Sequence, residues 1–258
     1  NPFFPVINGE MHAEGVPLSA IASQFGSPCY VYSKAALVAA YQDFERAFAG
    51  RDHLICYAMK ANSNLAILNL FAKLGAGFDI VSGGELARVQ AAGGDTGKVV
   101  FSGVGKSTAE IQAALYAGIK CFNVESASEL ERINHVAGEL NKVAPISFRV
   151  NPNVDAKTHP YISTGLRDNK FGVAYEDALP LYRKAHAMRN VKIKGIDYHI
   201  GSTVTEIAPF AEAFEKVLDL VDKLEAEGIA ISHIDIGGGV GIRYKDETPP
   251  TIAEYAAH

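Results

Sequence analysis

Cysteine is scarce: the 258 residues hold three, Cys29, Cys56 and Cys121, far apart and without a C-x-x-C pair or paired histidine spacing. That argues against a zinc site or a disulfide framework and for a reducing, cytoplasmic setting. The net charge of −5 comes with no basic stripe and no polybasic run, so neither nucleic acid nor a membrane surface is an expected partner. No apolar stretch approaches the roughly 20 residues that span a bilayer. The start, Asn1-Pro2-Phe3-Phe4, lacks a basic region followed by an apolar one, which argues against a signal peptide. Apolar bulk is present: 48% of residues are hydrophobic, enough for one α/β barrel or two smaller domains.

From about Tyr57 onward, short apolar runs alternate with amphipathic stretches. The pattern predicts strands over 54–60, 77–81, 99–102, 121–125, 146–151, 193–200 and 234–237. Between them it predicts helices over 64–74, 85–92, 109–117, 129–140, 178–188 and 209–227. Three helices follow Ser-x-x-Glu boxes, at Ser82/Glu85, Ser107/Glu110 and Ser126/Glu129. Seven βα units, one short of eight, point to an α/β fold of the (β/α)8 TIM-like barrel type, cut before its last strand; a doubly wound sheet is the alternative. Residues 1–26 break the rhythm, with extended chain over 3–12 around Asn8-Gly9, a helix over 18–25 and a Gly26-Ser27-Pro28 break. A lone hairpin is marginal in water. This segment is therefore expected to belong to a second, β-rich domain whose remainder lies outside the chain, leaving 27–258 as an incomplete barrel.

Period-two alternation gives each strand an apolar face and a polar or small one. The second set includes Cys56/Ala58/Lys60, Asp79, Ser102, Asn123/Glu125, Ser147/Arg149/Asn151, Asp197/His199 and Asp235. In a barrel that face points inward, and barrel enzymes build their sites at the C-terminal strand ends. Lys60 is a candidate imine-forming amine there, or a lysine snorkelling from a strand end. Gly237-Gly238-Gly239 after a strand suits either a phosphate or a tight loop; the spacing is not G-x-G-x-x-G. His199 is a ring-stacking group, a proton carrier or a hydrogen-bonded core histidine. Glu85 is accounted for by its cap, and Asp79 and Arg149 could pair structurally or hold Lys60 and a cofactor.

Eight segments stand in one order: YAMKAN from Tyr57, FDIVSGGEL from Phe78, FSGVGK from Phe101, FNVES from Phe122, RVNP from Arg149, HPYISTGLRDNKFG from His159, HIGS from His199 and DIGGG from Asp235. In that order they resemble the fold-type III pyridoxal-phosphate decarboxylases over almost the whole chain, and HPYISTG resembles the diaminopimelate branch. The resemblance implies pyridoxal 5′-phosphate bound to Lys60 through an imine, with His199 stacked on its ring. It places Gly237, Gly238, Gly239 and Ser202 at the phosphate, and Asp79, Glu85 and Arg149 along the pocket. His159, Ser163 and Thr164 fall in a loop expected near substrate, and no metal is implied. The implied reaction is decarboxylation of meso-2,6-diaminopimelate to L-lysine by a homodimer. A pyridoxal-phosphate carrier, or a decarboxylase of ornithine, arginine or carboxynorspermidine, is the alternative. The family's Glu-Pro-Gly-Arg strand, Cys-Glu-Ser segment and late tyrosine are not among these residues, so the fragment by itself is expected to be inactive.

Overall fold

The structure, a computed structural model, describes residues 1–155 and 171–258. It divides into two units, Asn1–Ile55 and Cys56–His258.

In the first unit, β1 (Val6–Ile7) and β2 (Glu10–Ala13) form an antiparallel hairpin. Its two loop residues, Asn8 and Gly9, have φ of 51° and 83°, the left-handed pair that suits the twist of a two-residue hairpin. β3 (Val16–Pro17) adds a third antiparallel strand, then α1 covers Leu18–Phe25. A second helix, α2 (Lys34–Ala47), lies outside the elements read from the sequence. Ser33 caps it, and Glu14 fastens the cap by accepting from Ser33 Oγ at 2.7 Å and from the Ala35 N–H at 2.9 Å.

The second unit repeats strand and helix: β4 (Cys56–Ala58), α3 (Leu65–Leu74), β5 (Gly77–Ile80), α4 (Gly83–Ala91), β6 (Val99–Phe101), α5 (Thr108–Ala117), β7 (Cys121–Val124) and α6 (Ala127–Glu139). It continues with β8 (Ala144–Asn151), β9 (Val173–Ala174), α7 (Tyr175–His186), β10 (Val191–Asp197), α8 (Ala208–Ala226), β11 (His233–Asp235) and α9 (Ile252–Ala257). The parallel path runs β4-β5-β6-β7-β8-β10-β11, in chain order and without reversal. A doubly wound sheet reverses at a switch point, so this order is that of a barrel. The sheet also curls. Asn123 on β7 reaches Asp235 on β11 at 3.3 Å, although β8 and β10 stand between those strands in the path.

Most strands end earlier than expected, and three of these ends bear on the site. β4 stops at Ala58 and β10 at Asp197, so Lys60 and His199 lie two residues past their strands rather than on them. After β4 the chain turns, the Ala61 N–H bonding to the Ala58 carbonyl at 3.2 Å. β11 ends at Asp235, because Gly237 adopts φ +66°, which no strand continues.

The helix caps divide. Ser107 and Glu110 form the reciprocal box. At Ser82 and Ser126 the serine caps the helix, but the glutamate reaches one residue further back, Glu85 to the Val81 N–H and Glu129 to the Glu125 N–H. Glu129 also accepts from Lys106 Nζ, a buried ion pair that pins the β6–α5 loop to α6.

Candidate functional site

Lys60 is exposed at the mouth of the curled sheet, where a carbonyl compound can reach its amine. Lys106, the lysine of the FSGVGK segment, cannot serve in its place. Its Nζ is buried and donates to the Gly103 carbonyl, the Asn123 carbonyl and Glu129, which accounts for all three protons. Asp79, next along from β4 on β5, accepts from Ser102 Oγ at 2.6 Å. Burial pushes its carboxyl up to about 6 against the Ser102 bond, Asp235 adds to the rise, and the charges of Lys60 and Arg149 oppose it. Asp197 is raised well above the ordinary carboxylate range, by burial first and then by Asp235.

Beyond β10 and β11 two loops lie against each other. A Cβ at Gly239 would stand 1.9 Å from the Gly201 carbonyl oxygen, and one at Gly237 would stand 2.5 Å from that of Tyr198. Both residues have left-handed φ, so backbone packing alone demands glycine there. Gly238 is different. A Cβ on it would meet nothing within 4 Å, so the chain's own packing leaves that position open. The Gly238 N–H donates to His199 Nδ1 at 3.4 Å, and the Gly237 N–H to Asp235 Oδ1 at 2.9 Å. Burial, then Arg149 and Lys60, lowers His199 to about 4, so the imidazole is neutral at physiological pH. Ser202 is exposed beside this loop.

Arg149, near the end of β8, lies with its guanidinium carbon 4.9 Å from the Phe171 ring centroid. Buried Glu125 anchors that corner. It lies 3.8 Å from Arg149 and accepts from the Gly103 and Gly172 N–H groups at 2.8 and 3.0 Å. Glu85 is turned to its own helix start through Val81. The curl thus gathers Lys60, Asp79, Arg149, His199, Ser202 and the glycine loop at the strand ends, while His159, Ser163 and Thr164 lie outside the described residues. Ser102, Asn123 and Glu125 were not singled out by sequence. Period-two alternation puts them on the polar face, but their partners come from strands far away in the chain. Among the described residues no cluster of metal-ligating side chains occurs. An exposed amine, a neutral flat imidazole and an open glycine loop together fit a phosphorylated aromatic aldehyde.

Residues 34–258 match the family described as pyridoxal-dependent decarboxylase, pyridoxal binding domain. The chain is 59% identical to the diaminopimelate decarboxylase of Vibrio cholerae over 249 residues, covering 96% of this chain and 60% of that protein. The crystal structure of diaminopimelate decarboxylase from Helicobacter pylori complexed with L-lysine superposes with a TM-score of 0.91 at 43% identity, over 93% of this chain and 61% of that one. The diaminopimelate decarboxylase structure from M. jannaschii gives a TM-score of 0.93 at 42% identity, over 100% and 61%. The chain therefore spans about three-fifths of the length of the curated relatives it matches. On this sheet order and this match, the chain belongs to the pyridoxal-dependent decarboxylases, through their pyridoxal binding domain.

Proposed function

We propose that the protein containing this chain converts meso-2,6-diaminopimelate to L-lysine and carbon dioxide, with pyridoxal 5′-phosphate held on Lys60. The identity of 59% to a diaminopimelate decarboxylase, sustained over 96% of the chain, carries this reading. When bound, pyridoxal phosphate supplies a sink for the electron pair left behind as the carboxylate departs. The chain's own groups bind and orient. Lys60 offers the exposed amine, and Asp79 stands beside it as a carboxylate at neutral pH. His199, neutral and held through Nδ1 by the Gly238 N–H, presents a flat face to a ring. Gly237–Gly239 and Ser202 receive the phosphate, and Arg149 and Glu85 line the pocket. The resemblance assigns His159, Ser163 and Thr164 to a substrate loop. The N-terminal segment 1–26 belongs to a second, β-rich domain, 27–258 form the barrel, and the whole enzyme is a cytoplasmic homodimer.

The test uses the full-length protein. Borohydride reduction with cofactor bound, followed by peptide mapping, should recover the pyridoxyl group on Lys60. Carbon dioxide should be released from meso-diaminopimelate in preference to ornithine and arginine, and Lys60→Ala should abolish the release. A pyridoxyl group on another lysine, or preference for ornithine or arginine, would overturn the reading.

A further inference from the structure

Ser102 donates to Asp79, and a serine hydroxyl has one proton to give. Where that proton goes depends on what else reaches Ser102. Its Oγ accepts from Asn123 Nδ2 at 3.3 Å, and the same amide nitrogen lies 3.3 Å from Asp235 Oδ2. The amide oxygen faces the opposite way, accepting from Ser147 Oγ at 2.5 Å, with Cys121 Sγ at 3.6 Å. Asn123 is 1% exposed, so water cannot repair a mismatch there. Reversing the amide would set its oxygen against the carboxylate oxygen of Asp235. The same Asp235 is held on its other side by the Gly237 N–H. The amide protons therefore point at Ser102 and Asp235, and the Ser102 proton is left for Asp79.

We propose that Asn123 is a positioning residue: by donating to Ser102 it turns that hydroxyl onto Asp79, and so holds the Asp79 carboxylate as an acceptor beside Lys60. The chain of bonds runs from the glycine loop through Asp235, Asn123 and Ser102 to Asp79, joining the two ends of the site across the sheet interior. The groups acting on Asp79 from the surrounding elements are Cys56 and Lys60, Ser102, Arg149, Asp197 and Asp235. Among the influences that favour its charged form, the Ser102 bond is the largest. The inference deepens the reading of Lys60 as the cofactor-bearing lysine, but its test does not depend on that reading.

The titration of Asp79 can be followed by NMR in full-length protein with isotope-labelled aspartate carboxyls, the signal being assigned by its loss in Asp79→Asn. Ser102→Ala should raise the Asp79 midpoint by about one pH unit, the scale of one hydrogen bond to a charged group. Asn123→Asp offers Ser102 an acceptor instead of a donor and should raise it similarly. A new charge nearby would also raise it, and a double-mutant cycle separates the two causes. In the Ser102→Ala background, Asn123→Asp should shift the midpoint less, by about one unit, than in the wild type. Ser147→Ala, on the far side of the amide, should lower stability and leave the midpoint in place. Additive shifts, an unmoved midpoint in Ser102→Ala, or an equal shift in Ser147→Ala would each overturn the proposal, and Ser102→Ala keeps it testable should Asn123→Asp not fold. Borohydride mapping decides the Lys60 reading separately.

Discussion

Asp79 and His199 are perturbed in opposite senses within one site, and they pull stability in opposite directions as pH changes. Burial pushes Asp79 from 3.8 up to about 6. Between those values the folded protein keeps a proton that the unfolded chain has released, so acidification through this window favours folding. Burial, then Arg149 and Lys60, lowers His199 from 6.5 to about 4. Between those values the unfolded chain takes a proton that the folded protein refuses, so acidification disfavours folding. In urea titrations of the cofactor-free, full-length protein, Asp79→Asn should steepen the loss of stability from about pH 6 to about pH 4. His199→Gln should flatten it. Slopes that match the wild type in both variants would refute these assignments. The residue types of this site were legible in the sequence because period two puts them on one face. The use made of Asn123 was not, since its partner Asp235 is 112 positions away and a small polar residue on a strand announces nothing.

At the scale of elements, the glycine loop separates two reasons for having glycine. Gly239 is demanded by the protein itself, with φ +96° and the Gly201 carbonyl where a Cβ would be. Gly239→Ala should cost about 2–4 kcal/mol of folding stability. Gly238 is demanded by nothing in the chain, so Gly238→Ala should stay within about 0.5 kcal/mol of wild type while weakening pyridoxal-phosphate retention tenfold or more, roughly 1.4 kcal/mol. Denaturation and cofactor titration of the full-length protein measure the two sides, and parallel losses in both variants would remove Gly238 from the phosphate site. Strand faces were readable, but strand ends were not. An end is set where the neighbouring strand stops pairing, and β4 pairs with β5 over only Cys56–Ala58. Helix α2 is hard to read from the sequence although Leu37, Tyr41 and Phe44 share one face behind a Ser33 cap, because a helix rather than a strand precedes it and no βα unit opens there.

For the whole molecule, the described strand path ends at β4 and β11. Parallel barrels close such edges with one more strand, and the resemblance expects Glu-Pro-Gly-Arg to arrive on it. We therefore expect a polypeptide limited to residues 1–258 to release no carbon dioxide from meso-diaminopimelate, and the full-length protein to do so. An active 1–258 polypeptide would refute this division of labour. That seven units make a barrel was legible from their count and spacing, whereas the curl itself was visible only through bonds between strands that are not neighbours.

Those bonds have a mechanical meaning. A sheet held only by ladders between adjacent strands can flatten through small, equal changes of twist at every joint. Here Asn123 to Asp235 at 3.3 Å and Cys121 to His233 at 3.7 Å run straight from β7 to β11, beneath β8 and β10. They act as two bowstrings of fixed length across one arc. At that arc the gap between β7 and β11 is bridged from inside by side chains a few atoms long.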